Sequence, residues 1–257
     1  MTSTTDDEAQ RLHSMMESTA ERLAEVLEDA RFERRDGYTF MAFPMLRIRA
    51  INGVWADTDA AADHLEDALA EAEELGAPFA VTVRAGRTPA VEEAARQLGF
   101  TSEERVPGMV TGPDDLGDPP VRDIHVIRVE TADGLAQALS VAATSFGVPA
   151  EIPAAMYGLE VAELEGFHYY LGRVGERDVA TAAGFTIEGT VGIFNVATSP
   201  ADRGRGYGAA ITARAARDGF DSGADLAGLQ SSLMGESMYS GLGFREVETY
   251  TLFMRPR

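Results

Sequence analysis

The chain has 257 residues, with 42 acidic against 22 basic side chains, a formal net charge of −20 and no cysteine. This length is ample for two domains of ordinary size, and the lack of cysteine excludes disulfides, thiolate metal sites and a cysteine nucleophile. A charge of this sign repels a phosphate backbone, so nucleic-acid binding is not expected.

Met1 to Gln10 is acidic and polar, without the basic-then-apolar order of a secretory signal. With no apolar run long enough to cross a bilayer, a cytoplasmic protein without membrane partners is expected. Asp6 to Arg31 places Leu12, Met15, Met16, Leu23, Val26 and Leu27 at helical spacing. Tyr38 to Pro44 and Leu46 to Trp55 read as strands. Thr58 to Leu75 reads as an acidic amphipathic helix that stops at Gly76. Phe79 to Val83 is a short apolar strand, Pro89 to Leu98 a helix with proline in its first turn, and Thr101 to Val110 extended. Thr111 to Pro120 is rich in Gly, Pro and Asp, the composition of a linker.

Beyond the linker, Ile124 to Glu130 reads as a strand and Ala132 to Ser145 as a helix. Gly147 to Glu163, interrupted by Pro149 and Pro153, reads as a loop with a short helix. Phe167 to Val174, Val179 to Ile187 and Val191 to Ala197 are three strands joined by tight turns. A helix from Ala209 to Phe220, a strand from Asp225 to Leu229, a helix from Gly235 to Ser240 and final strands from Phe244 to Met254 complete the chain.

Between the third of those strands and its helix stands Arg203-Gly204-Arg205-Gly206-Tyr207-Gly208. A glycine-rich turn that opens a helix presents unpaired N–H groups and the positive end of the helix dipole, a cradle for phosphate. A tight turn that binds nothing is the plainer alternative. A P-loop needs a lysine after its last glycine, and the chain contains no lysine. A dinucleotide fingerprint needs G-x-G-x-x-G near the start of a long doubly wound unit. Gly204, Gly206 and Gly208 have another spacing, and only one more strand–helix–strand unit follows them.

The stretch is similar to the pyrophosphate loop of the GNAT superfamily of N-acetyltransferases, Q/R-x-x-G-x-G/A. It follows Asn195-Val196-Ala197-Thr198-Ser199-Pro200, which resembles that family's strand end. It precedes Ser237-Met238-Tyr239-Ser240-Gly241-Leu242-Gly243-Phe244, which resembles its Tyr-x-x-Leu-Gly-Phe signature. The resemblance covers residues 122–257 and implies an α+β fold, a central, mostly antiparallel sheet flanked by helices. It also implies acetyl-CoA as acyl donor, no metal, and direct transfer of the acetyl group to a primary amine of a small molecule or peptide. By the same resemblance, the arm of the donor runs along Val196, Ala197 and Thr198. Its pyrophosphate sits on Arg203, Gly204, Arg205, Gly206, Tyr207, Gly208 and Ala209, and Tyr239 is the general acid. Ser232 stands where many relatives carry a cofactor-contacting asparagine.

No acidic residue lies within Val191 to Ala197 to serve as general base. Glu151 and His168 are pocket candidates with equally ordinary readings, a solvated charge and a half-buried strand histidine. The four histidines, His13, His64, His125 and His168, share no metal-ligand spacing. A non-catalytic CoA-binding module of the same fold is the rival reading.

Leu98-Gly99-Phe100 repeats Leu242-Gly243-Phe244, and the element order of the first half parallels that of the second. The expectation is two tandem copies: a degenerate N-terminal domain over 1–115, a linker over 116–121 and a catalytic domain over 122–257. The acceptor's identity is not encoded in any motif, and a homodimer is left open.

Overall fold

The computed structural model describes residues 4–119, 121 and 123–256. Pro120 of the expected linker and Arg122 at the start of the expected catalytic domain lie outside them. In chain order the elements are α1 (Thr4–Val26), β1 (Arg31–Arg35), β2 (Tyr38–Ala42), β3 (Gly53–Ala56), α2 (Leu65–Glu74), β4 (Ala80–Arg84), α3 (Pro89–Gln97) and β5 (Ser102–Thr111). Then follow β6 (His125–Val129), α4 (Ala132–Phe146), α5 (Glu151–Tyr157), α6 (Leu159–Ala162), β7 (Phe167–Val174), β8 (Arg177–Ile187) and β9 (Thr190–Thr198). The chain ends with α7 (Tyr207–Asp221), β10 (Leu226–Gln230), α8 (Glu236–Gly241) and β11 (Arg245–Met254). This is the α+β architecture expected from the sequence.

The chain forms two compact units: Met1–Thr19 with Met109–Val247, and Ala20–Gly108 with Glu248–Arg257. The division expected at 116–121 differs from this partition. Strands β5 and β11 each contribute residues to both units, as does α1, so the boundaries fall inside elements rather than in the Gly- and Pro-rich stretch.

In the first unit the strand order is β5-β10-β9-β8-β7-β6. Pairs β6–β7, β7–β8 and β8–β9 are antiparallel, and β9–β10 is parallel. The β9–α7–β10 connection supplies the crossover that a parallel pair requires. Its helix is rich in small residues. Ala209, Ile211, Ala213, Ala215 and Ala216 are buried in one cluster with Val191, Ile193, Ala227 and Leu229. Gly219 comes so close to β9 that a Cβ there would meet the Val191 side chain at 2.5 Å. Helix α4 is bounded by its own sequence. The Thr131 hydroxyl accepts from the Gly134 N–H at 3.1 Å, and Gly147 takes the left-handed conformation that ends it.

The second unit contains the order β1-β2-β3-β4-β11. Strands β1–β2, β2–β3 and β4–β11 pair antiparallel, and β3–β4 parallel with α2 between them. Its core gathers Phe40, Val54, Leu65, Val81, Val91, Phe100 and Phe253.

Four expectations are corrected. Leu46 to Trp55 is not one strand. The buried Asn52 side chain accepts from the Phe43 N–H and donates to the Leu46 and Ile48 carbonyls, folding that stretch into a compact loop with a 3-10 turn at Arg49–Ile51. The helix from Thr58 begins as a 3-10 turn, Asp59–His64, before α2. Gly147 to Glu163 holds two short helices, α5 and α6, with Pro153 in the first turn of α5, where a missing N–H costs nothing. The run after Phe244 is the single strand β11, since Arg245–Met254 contains no turn residue.

Candidate functional site

The candidate site lies where β9 parts from β10. The parallel register pairs Leu226 with Thr190, Ala227 with Val191 and Gly228 with Gly192, and it stops there. Strand β9 runs on to Thr198, so beyond Gly192 its main-chain groups on the β10 side have no strand partner. On its other side, Thr181 pairs with Ala197 and Ala183 with Phe194, so Asn195 and Val196 together face Ala182. This is a β-bulge, and Asn195 carries the left-handed φ of 52° that it needs. Asparagine tolerates that region better than any branched residue would. The bulge re-aims the end of β9 where the slot opens.

At that end, Pro200–Asp202 makes a 3-10 turn and the glycine loop follows. Gly206 is the N-cap of α7 with φ of 83°, a conformation that an L side chain rarely adopts. Among the described residues, the N–H groups of Gly204 to Ala209 meet no protein acceptor. The first returning bond runs from the Ala210 N–H to the Gly206 carbonyl at 3.0 Å. A Cβ on Gly204 would enter open space, and Gly204 and Arg205 are exposed. The loop is therefore a cradle of free donors at a helix N-terminus, and its chemistry fits a pyrophosphate.

The side chains in the loop divide their work in a way the spacing did not reveal. Arg203 donates to the Thr198 carbonyl at 3.3 Å and to the Ser145 carbonyl at 2.6 Å, bracing the end of β9 against the end of α4. Tyr207 is buried, and its hydroxyl donates to Asp123 at 2.9 Å, which holds its proton more firmly than usual. It anchors the first turn of α7. Arg205 is exposed and lies 3.6 Å from Asp202. Asp202 is buried and receives two bonds from Arg177, at 2.9 and 3.1 Å. Arg177, Asp202, Asp123 and Ser145 were not singled out from sequence. Their hydrogen-bond partners are 25 to 84 positions away along the chain, and only the folded geometry brings them together.

Of the arm-binding candidates, Val196 and Thr198 are half-buried and Ala197 is buried, all on the freed end of β9. Ser232, after the end of β10, is exposed. Its hydroxyl and carbonyl both receive the Gly235 N–H, so it shapes the turn into α8.

Tyr239 lies in α8, which reaches α7 through Met238: a Cβ on Gly208 would meet the Met238 sulfur at 3.0 Å. The helix ends in a Schellman turn, with the Phe244 N–H bonded to the Tyr239 carbonyl at 3.0 Å and the Gly243 N–H to the Ser240 carbonyl at 3.1 Å. The rings of Tyr239 and Phe244 meet edge-on at 5.9 Å. Tyr239 is 8% exposed, and burial pushes its phenol up to about 12. Its hydroxyl has no protein partner among the described residues.

Glu151 is exposed in the first turn of α5. His168, on β7, is half-buried, and burial together with Arg128 holds its imidazole below the usual histidine range. It lines a cavity of about 410 Å³ with Arg128, Leu135, Leu164 and Phe167. Registers Phe167↔Phe185 and Phe185↔Gly192 place this cavity level with the start of β9, away from the glycine loop.

Searches with the sequence match no family model and no curated relative. Solved structures do match. A GCN5-related N-acetyltransferase from Kribbella flavida superposes with a TM-score of 0.73 at 19% identity, over 97% of this chain and 96% of its own. A functionally unknown conserved protein from Staphylococcus epidermidis gives 0.65 at 13% identity, over 91% and 97%. A GCN5-related N-acetyltransferase from Sphaerobacter thermophilus gives 0.64 at 17% identity, over 86% and 78%. The fold is that of the GCN5-related N-acetyltransferases.

Proposed function

We propose, from that fold and the geometry of its first unit, that the protein is an acetyl-CoA-dependent N-acetyltransferase acting on a primary amine of a small molecule or peptide. The observation that carries the reading is the cradle of unpaired N–H groups from Gly204 to Ala209, set at the mouth of the β9–β10 slot. The acyl donor supplies an activated thioester. The protein holds its pyrophosphate on the loop and its arm along Val196, Ala197 and Thr198, where free main-chain groups add it as a strand.

Tyr239 holds a proton for the departing sulfur. A phenol pushed up to about 12 stays protonated across the working range, as a general acid must. Strand β9 carries no carboxylate, so the acceptor amine reaches the site already neutral or loses its proton to water. The second unit has no counterpart of the loop between β3 and α2, where Asp57 to His64 contains no glycine. We take it as a diverged copy that does not hold the donor. A soluble cytoplasmic setting agrees with the absence, among the described residues, of any helix long and apolar enough to cross a membrane.

Incubation of the protein with acetyl-CoA and a panel of amines, followed by thiol release, tests the proposal. Turnover with at least one amine is expected. Binding of acetyl-CoA without turnover on any amine would replace the enzyme by a non-catalytic CoA-binding module.

A further inference from the structure

A carboxylate stands buried at the foot of the anion cradle. Asp202 is 3% exposed and directly precedes Arg203, so its charge opposes any phosphate that settles on the loop. Two cations answer it. Arg177, the first residue of β8, reaches over from the turn after β7 and takes both carboxylate oxygens, Nη1 to Oδ2 at 2.9 Å and Nη2 to Oδ1 at 3.1 Å. Arg205 sits 3.6 Å from Oδ1, beyond hydrogen-bond length, with its side chain 55% exposed.

Arg203 is already bound to two carbonyls. Arg205 bears on the Tyr207 hydroxyl within the loop and is bound to no carboxylate among the described residues at hydrogen-bond length, and it follows the exposed glycine of the cradle. If Arg177 were absent, Asp202 would draw Arg205 into a full pair, because a buried carboxylate without a partner is costly. The loop would then lose the Arg205 cation and keep the opposing charge.

We infer that Arg177 is a positioning residue for the donor site: by occupying both oxygens of Asp202 it leaves Arg205 free to bind the pyrophosphate. The inference rests on the reading of the loop as a CoA site.

Calorimetric titration of the full chain with CoA tests this in four forms: wild type, Arg177→Gln, Asp202→Asn and the double variant. Arg177→Gln should weaken CoA by about ten- to a hundredfold, the scale of one charge-assisted bond to phosphate. At saturating acetyl-CoA its kcat should stay near wild type, placing the loss in KM. The double variant should recover to within about threefold of wild type, since no carboxylate remains to capture Arg205. Pantetheine, which lacks the pyrophosphate, should bind all four alike.

Unchanged CoA affinity in Arg177→Gln overturns the inference. A double variant as weak as Arg177→Gln also overturns it, because Arg177 would then act only as a brace. Wild-type protein that binds no CoA overturns the donor-site reading itself, and the inference with it.

Discussion

Tyr239 shows how one side chain is placed by a capping motif and tuned by burial. Its carbonyl closes the Schellman turn, its ring packs on Phe244, and its hydroxyl is left without a protein partner. Removing that hydroxyl in Tyr239→Phe should lower kcat by about 10²-fold, the usual scale for one acid–base group. CoA affinity should be nearly unchanged, and an unaltered rate would remove Tyr239 from the mechanism. The pH profile gives a second check. Burial raises the phenol, so its protonated form persists above the pH at which a free tyrosine ionises. Activity should rise with pH as the acceptor amine loses its proton, with no alkaline decline below about pH 11. A decline near pH 9 that Tyr239→Phe abolishes would show that burial does not raise the phenol, and one that survives Tyr239→Phe would belong to another group. Gly206 and Tyr239 were legible in the sequence because their motifs are local. Arg177 and Asp202 were not, since an ion pair between residues 25 positions apart leaves no pattern in one chain.

Among the elements, α7 and β9 do most to position the site. Gly219 lets the helix lie against Val191 with no room for a methyl group. Gly219→Ala should therefore destabilise the protein by about 1–3 kcal/mol through overpacking, read from urea unfolding. A neutral result would mean that α7 shifts freely, and the loop at its N-terminus with it. The strong periodic elements were readable from pattern, α7 and β7 to β9 among them. Strand β1 was missed because Arg31-Phe32-Glu33-Arg34-Arg35 carries too much charge to read as a strand. It is an edge strand, where charge is tolerated, and Arg31 and Arg35 both bond to Glu71 of α2. The Leu-Gly-Phe repeat has a local cause as well. Phe100 and Gly99 close α3 with the same two bonds that Phe244 and Gly243 close α8. The triplet marks a helix stop, which is reason enough for it to occur twice.

At the scale of the whole chain, β5 and β11 each contribute residues to both units, a division that composition alone does not show. The end of β11 is held in the second unit by Glu248, whose buried carboxylate meets Arg84 at 2.6 Å and Arg87 at 3.0 Å. Glu248→Ala removes this bond from the buried Arg84 side chain and should cost about 1–3 kcal/mol of unfolding free energy. A loss below about 1 kcal/mol would show that the pair does not hold the strand.

The two units also differ in what they offer a ligand, since only the first has the glycine loop. The most direct test of the account is a calorimetric titration of the full chain with acetyl-CoA, set beside Gly206→Leu. The account predicts one equivalent bound per chain, and a large loss of affinity in the variant, whose side chain must enter a left-handed position at the cradle. No binding by the wild type, or equal binding by Gly206→Leu, would contradict it.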